Sequence, residues 1–150
     1  MTPSVRIDNA RWVQFLLLRD GVLYFARKLQ GFQRQKVRVR VELVKGLQQS
    51  EKCRAAAHQN SARSYHVRMD SQLKPLAMIR CLAHEMIHVN QWLTGKMEDL
   101  QRRYRVRWGK RIYVQNRLRY KDHPWEREAY RHDVKLAQSF IDFHTSGWRK

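Results

Sequence analysis

The chain has 150 residues, of which 43% are hydrophobic, and this composition predicts one folded domain spanning residues 1–150 and excludes a disordered chain. Lysine and arginine number 31 against 13 acidic residues, so the net charge of +18 indicates a nucleic acid or an acidic protein surface as a partner. No apolar run reaches the ~18 residues of a membrane span, and no secretory signal is visible.

Cys53 and Cys81 are not in CxxC spacing and give no disulfide framework. We therefore expect buried free thiols and a reducing, cytoplasmic setting. Cys81 lies one helical turn before His84, where a thiolate ligand is conceivable, but a passive thiol is the favoured interpretation.

The first elements predicted are a helix and a strand. Residues 9–30 are apolar at mixed spacing and are interpreted as a helix that can break near Gly21. Residues 34–43 then alternate, with Arg34, Lys36, Arg38 and Arg40 on one side, which predicts a half-buried strand with a basic outer face. Its inward side chains are Val37, Val39, Val41 and Leu43.

A loop and a second strand follow. Residues 46–62 are polar and rich in small side chains, so they are expected to form a loop with room for a short helix. Tyr65, Val67 and Met69 alternate with polar residues and predict the second strand.

A long amphipathic helix is predicted next. Pro75 suits its first turn, and Thr94 and Gly95 end it, because Gly95 can adopt a left-handed conformation. The apolar stripe on one face consists of Ile79, Leu82, Met86, Val89 and Leu93. This face should pack on the core.

The remaining chain predicts a hairpin and a final helix. Residues 100–121 contain nine Arg and Lys and no acid, and Gly109 and Lys110 offer a turn. The two strands would carry Tyr104, Val106 and Trp108, then Ile112, Tyr113 and Val114. A helix is predicted from Pro124 to about His144, with apolar positions at Ala129, Leu136, Phe140 and Phe143.

Residues 84–88 read HEMIH, a complete HExxH within the long predicted helix. The spacing places His84 and His88 one turn apart on the face opposite the apolar stripe, with Glu85 beside them. Two neutral imidazoles can bind zinc, and a neighbouring glutamate can take a proton from a zinc-bound water. The alternative is a pair of ordinary histidines on an amphipathic helix, and we favour the metal site.

A site of this type needs a third protein ligand. The downstream candidates are His123, Glu126, Glu128 and His132. Glu126 and Glu128 are two residues apart, about 200° around a helix, so only one of them can face the metal. His123 could take the third position or act as a donor to the transition state, whereas His132 is more typical of a surface histidine.

Residues 126–129 read EREA, an ExxA that follows the HExxH. The order of strand, HExxH helix and ExxA helix resembles the small gluzincin metallopeptidases, the minigluzincins, over residues 64–143. The resemblance implies an α+β, zincin-like fold with an N-terminal helix, a small and mostly antiparallel sheet, the HExxH helix and a C-terminal helix carrying the third ligand. It also implies a zinc endopeptidase with Zn²⁺ bound by His84, His88 and Glu126.

This sequence departs from the gluzincin pattern at one supporting position. Several gluzincin families have Asp or Asn directly after the alanine, where it orients a ligand histidine; this chain has Tyr130 there. The strand-then-HExxH layout is also similar to that of SprT-like proteases, which often act near DNA. Their third ligand is a histidine soon after the motif helix, whereas here none lies between His88 and His123.

The expected reaction is peptide hydrolysis. Glu85 would take the water proton and later deliver it to the leaving amine. A further donor should stabilise the oxyanion, and the candidates are Tyr120, His123 and Tyr130. The strand before the motif helix, or a neighbouring edge strand, would align an extended peptide substrate.

The basic residues suggest a second partner. Interleaved cations and aromatics are typical of surfaces that bind nucleic acid without reading its sequence. The candidate residues are Arg34, Lys36, Arg38, Arg40, Arg103, Arg105, Arg107, Lys110 and Arg111. The alternative function is therefore a nucleic-acid-binding or virion structural protein that keeps a zincin fold without proteolysis. A phage-encoded protein, in the host cytoplasm or the virion, would fit this composition.

Overall fold

A computed structural model describes residues 2–47 and 54–148, with side chains described to residue 145. Within these residues the chain forms three helices: α1 (Trp12–Lys28), α2 (Pro75–Leu93) and α3 (Pro124–Trp148). The strands are β1 (Ser4–Asp8), β2 (Arg38–Val44), β3 (Ala55–Ser61), β4 (Ser64–Asp70), β5 (Met97–Asp99), β6 (Arg105–Trp108) and β7 (Arg111–Val114). The α+β class predicted from the sequence is thus observed.

The larger sheet has four strands in the order β1-β2-β4-β3. β1 pairs parallel with β2, β2 pairs parallel with β4, and β3 is antiparallel to β4. The expectation of a mostly antiparallel sheet is therefore wrong for this sheet. The parallel pairing follows from α1, which crosses from the end of β1 back to the start of β2, so that both strands run in the same direction.

β2 and β4 follow the predicted alternation. Val39, Val41 and Leu43 are buried on the inner face of β2, and Tyr65, Val67 and Met69 are buried on β4. β2 begins at Arg38, so Arg34 and Lys36 precede the strand instead of extending its basic face.

β3 corrects the expectation of a loop at residues 46–62. Ala55–Ser61 is a strand, although its alanines and polar residues have little intrinsic preference for one. It is held by pairing with β4, and it forms an edge of the sheet. Residues 48–53, including Cys53, lie outside the described part of the chain.

Helix α1 runs without a break through Gly21, contrary to the expected interruption. A Cβ at this position would lie 2.9 Å from Leu82 Cδ2 and 3.4 Å from Ile79 Cδ1. The glycine therefore allows α1 to approach α2 closely.

Helix α2 matches its prediction at both ends. Pro75 is its first residue, and Gly95, just beyond the C-terminal cap at Thr94, has φ +75°. In the predicted stripe, Ile79, Leu82, Met86 and Val89 are buried and Leu93 is partly buried. These contacts hold α2 against the core so that its motif face points towards α3.

β5, β6 and β7 form a second, antiparallel sheet, and the turn at Gly109 confirms the predicted hairpin. Its inner face packs Met97 and Val106 against Trp125 of α3. In α3, Ala129 and Phe140 are buried as expected, whereas Phe143 is 58% exposed. Among the described residues, no helix combines the length and apolarity needed to span a membrane.

Candidate metal centre

His84, His88 and Glu126 meet between α2 and α3. Glu126 Oε1 lies 2.9 Å from His84 Nε2 and 3.0 Å from His88 Nε2, and the two nitrogens are 3.2 Å apart. All three side chains are buried, and their ligand atoms lie within 4.8 Å of one another. This group, called the metal group below, could hold a metal ion.

The other nitrogen of each imidazole is bonded to an oxygen acceptor. His84 Nδ1 lies 2.9 Å from Asp133 Oδ2, and His88 Nδ1 lies 2.8 Å from Gln91 Oε1. An Nδ1–H that donates to such an acceptor leaves Nε2 with its lone pair free for a metal. Both histidines are thus oriented as ligands by partners of their own.

Sequence patterns alone do not identify Asp133 and Gln91 as partners of the ligand histidines, although the helical spacing of both residues is compatible with this role. Asp133 follows Glu126 by seven residues, two turns of helix, so both project from the same face of α3. Gln91 follows His88 by three residues on α2. Residue 130, where several gluzincin families have this partner, is here a tyrosine whose ring centroid is 4.4 Å from that of His84.

Glu128 points away from the metal group. It accepts a hydrogen bond from Gln91 Nε2 at 3.2 Å and forms an ion pair with Lys96. Gln91 also donates to the Trp125 carbonyl oxygen at 3.0 Å. The same glutamine thus supports His88 and ties α2 to the first turn of α3.

His123 is buried but does not belong to the metal group. Its Nε2 lies 2.9 Å from the carbonyl oxygen of Gln115, and its ring stacks on Trp125 with centroids 4.7 Å apart. Its Nδ1 has no hydrogen-bond partner among the described residues. These contacts favour a packing role for this histidine over the expected role as ligand or donor. His132 is exposed, as expected.

Glu85 is buried next to the two ligand histidines, and it accepts a hydrogen bond from the Ala57 backbone amide of β3. Burial raises the pKa of Glu85 above its ordinary value. A carboxyl group with a raised pKa beside a metal is suited to exchanging a proton with water.

Tyr120 is the nearest hydroxyl donor to the metal group. Its OH donates to Glu126 Oε1 at 2.9 Å. Burial and the charge of Glu126 raise the pKa of Tyr120, so the hydroxyl keeps its proton and remains a donor. Tyr130 is half exposed and lies beside His84.

Without a metal ion, attraction between opposite charges stabilises the metal group. Burial opposes ionisation of His88, but its hydrogen bond to Glu126 and the charges of Glu85 and Glu126 outweigh burial and raise its pKa to about 9. Burial likewise opposes ionisation of Glu126, but the hydrogen bonds from His84 and His88 lower its pKa to about 2. A metal cation would replace the histidine protons as the counter-charge of Glu126.

Two clefts reach the metal group, one at each ligand histidine. One of about 420 Å³, the His88 cleft, is lined by His88, Trp92, Met97 and Trp125. The other, of about 550 Å³, is the His84 cleft, lined by His84, Leu76, Cys81 and Tyr130. Both clefts also include Ala55, Glu85 and Tyr120 in their walls.

Cys81 is a free, partly buried thiol in the wall of the His84 cleft. Burial raises its pKa to about 11, so it carries no thiolate at neutral pH. This agrees with the expectation of a passive thiol.

The predicted basic residues lie in two separate segments, in and next to β2 and in and next to the hairpin of β6 and β7, and part of their charge is neutralised. Arg40 pairs with Asp8 at 2.5 Å and with Glu42 at 3.6 Å, and Arg107 pairs with Glu98 at 2.8 Å. The exposed members are Arg34, Lys36, Arg38, Arg103, Arg105, Lys110 and Arg111. These seven form no ion pair within the part of the chain that the structure describes.

No protein-family model, curated protein or solved structure matches this chain.

Proposed function

We propose that the chain is a zinc-dependent endopeptidase of zincin-like architecture. The observation that carries the proposal is the convergence of His84 Nε2, His88 Nε2 and Glu126 Oε1 on one buried point, with Glu85 beside them. Two imidazoles and one carboxylate are a donor set that catalytic zinc takes, with a position left for water. The bonds from Asp133 and Gln91 to the Nδ1 atoms support the same assignment, because they orient both imidazoles as ligands.

The chemistry divides between the metal and the chain. Bound zinc would polarise the scissile carbonyl and acidify the attacking water. Glu85 would accept the proton of that water and pass it to the leaving amine. Tyr120 would donate to the oxyanion, because its hydroxyl already lies 2.9 Å from a ligand oxygen. Tyr130 is the next candidate for this donor, and His123 the last.

The direct test compares the wild type with Glu85→Gln after loading with zinc. Both proteins should bind the metal, and Glu85→Gln should cleave an unfolded protein substrate such as casein at least ~100-fold more slowly. The amide can still accept the Ala57 hydrogen bond, so the fold should be retained. Cleavage that is equally fast in the variant, or absent from the zinc-loaded wild type, would contradict the proposal.

A second candidate function is nucleic-acid binding without proteolysis. It is favoured by the exposed side chains of Arg34, Lys36 and Arg38, which form no ion pair among the described residues. This function predicts salt-sensitive binding of a single-stranded oligonucleotide that survives Glu85→Gln and is lost in the double variant Lys36→Glu, Arg38→Glu. Arg40 is a poor choice for charge reversal, because its substitution would also break the pair with Asp8.

A further inference from the structure

The two clefts adjoin at the metal group, and together they are called the groove below. Ala55, Glu85 and Tyr120 contribute to the walls of both clefts. The groove follows β3, whose outer edge is not paired with another strand in the described sheet. The small side chains of residues 55–57 leave space beside this edge.

Arginines line both clefts of the groove. Arg54 and Arg80 line the His84 cleft, and Arg102 and Arg105 line the His88 cleft. Within the described residues, Arg54, Arg102 and Arg105 form no ion pair. Arg80 is 57% exposed, and its Nε is 3.9 Å from Asp133 Oδ1, a distance that leaves its other nitrogens free for a ligand.

Acidic side chains are scarce along the same walls. Outside the metal group and its neighbours Glu85 and Asp133, the acid in the described walls is Asp99. Away from the metal group, arginines therefore outnumber acids in these walls, which favours anionic ligand groups there.

Apolar side chains also line the groove. Trp92, Met97 and Trp125 line the His88 cleft, and Leu76 and Tyr130 line the His84 cleft. A ligand that carries both apolar and anionic side chains would match these walls.

We propose that the groove binds an extended peptide segment with carboxylate side chains on both sides of the metal group. This inference rests on the proposed peptidase function and names the substrate class for it. A peptide is favoured over a nucleic acid because the free edge of β3 offers backbone hydrogen bonds that a peptide backbone can complete.

The test measures binding to Glu85→Gln, which cannot turn over a bound peptide. Three fluorescein-labelled peptides share one apolar centre and carry Glu, Gln or Lys on both flanks, and their affinities are measured by fluorescence anisotropy. The Glu peptide should bind at least ~10-fold more tightly than the Gln peptide, and the Lys peptide should bind weakest. The preference should shrink as salt is raised.

Arginine variants locate the preference in the groove. The double variant Arg102→Gln, Arg105→Gln should reduce the Glu-over-Gln preference at least ~3-fold, whereas Arg103→Gln, outside the described walls, should leave it unchanged. Arg54→Gln should act in the same way at the other end, with the exposed Arg63→Gln as its control. Circular dichroism would verify that each variant is folded.

Three results of the binding experiments would overturn the inference. These are equal binding of the Glu and Gln peptides, a preference that survives the groove variants, and a single-stranded oligonucleotide that binds more tightly and depends on the same arginines. Failure of the peptidase proposal would give a different result. A wild type that binds the Glu peptide selectively but never cleaves it would contradict the peptidase proposal and would support the groove assignment. Cleavage without any preference for flanking carboxylates would overturn the groove assignment alone.

Discussion

Glu126 and Asp133 are buried carboxylates, and each is bonded to a nitrogen of His84. Burying a carboxylate is costly unless a charged or hydrogen-bonding partner compensates it. Both acids are nevertheless placed in the interface between α2 and α3, where apolar side chains would pack at lower cost. Such an arrangement is typical of a site retained for its chemistry.

The contact between Asp133 and His84 predicts a specific loss of metal affinity. Asp133→Ala should weaken zinc binding about 10- to 100-fold, because His84 loses the acceptor that orients its ring. Asp142→Ala on the same helix is the matched control, since Asp142 is bonded to Gln138 and should not affect zinc. Competition with a chromophoric chelator measures both affinities. Equal affinities in the two variants would show that Asp133 does not orient the ligand.

The pKa values of the metal group predict how pH changes the effect of zinc. In the chelated protein the pKa of His88 rises from 6.5 to about 9, so its stabilising charge is complete below pH 6.5 and is lost as pH rises through about 9. The pKa of Glu126 falls from 4.5 to about 2, so its contribution is lost only as pH falls below 4.5 towards about 2.

Zinc requires the deprotonated histidines, and protons compete with it less as pH rises. The difference in Tm between zinc-loaded and chelated protein should therefore widen between about pH 6 and about pH 9. Thermal unfolding at several pH values, with and without chelator, measures this difference. A difference that stays constant over the interval would contradict the ionisation described for His88.

At the scale of elements, strong periodicity was sufficient for prediction. β2, β4, α2 and the hairpin of β6 and β7 were found because each carries its pattern within its own residues. No strand is predicted at β1, and a loop is predicted where β3 lies, because neither segment has a strong local pattern. β1 depends on parallel pairing with β2, where Ser4 lies opposite Arg38, and β3 depends on pairing with β4.

Two glycines that contact α2 should respond differently to substitution. A Cβ at Gly31 would lie 2.7 Å from both Asn90 Oδ1 and Leu93 Cβ, so Gly31→Ala should destabilise the fold by about 1–3 kcal/mol. Gly21→Ala meets the end of the flexible Leu82 side chain and gains helix propensity, so it should change stability by less than about 1 kcal/mol. Urea unfolding measures both variants. Equal effects would mean that α2 can shift away from Gly31 at little cost.

At the scale of the molecule, the HExxH motif predicts only the part of the site that lies on α2. His84, Glu85 and His88 were predicted from one segment, and the gluzincin resemblance added Glu126. The residues alone left Glu126, Glu128 and His123 open, because the choice depends on how α3 is rotated against α2. Local spacing does not encode that rotation; it follows from Trp125 and Ala129 packing into the core and from Gln91 bonding across the interface.

The charge distribution also became interpretable only in three dimensions. The sequence predicts basic faces, but Arg40 is paired with Asp8 and Arg107 with Glu98. Neither acid belongs to the basic pattern, so the sequence pattern alone does not reveal these pairs. Arg54 and Arg80 belong to no basic pattern in the sequence, yet the fold brings them to the same cleft. A net charge identifies a class of partner, whereas the fold determines where that partner can bind.

The central claim is that one glutamate of α3 completes a zinc site begun by two histidines of α2. Its most direct test is the zinc content by mass spectrometry and the zinc affinity by chelator competition, for the wild type, Glu126→Gln and Glu128→Gln. We predict about one zinc ion per chain in the wild type and in Glu128→Gln, and a zinc affinity at least ~10-fold weaker in Glu126→Gln. A wild type that binds no zinc, or two variants that retain it equally, would contradict the account.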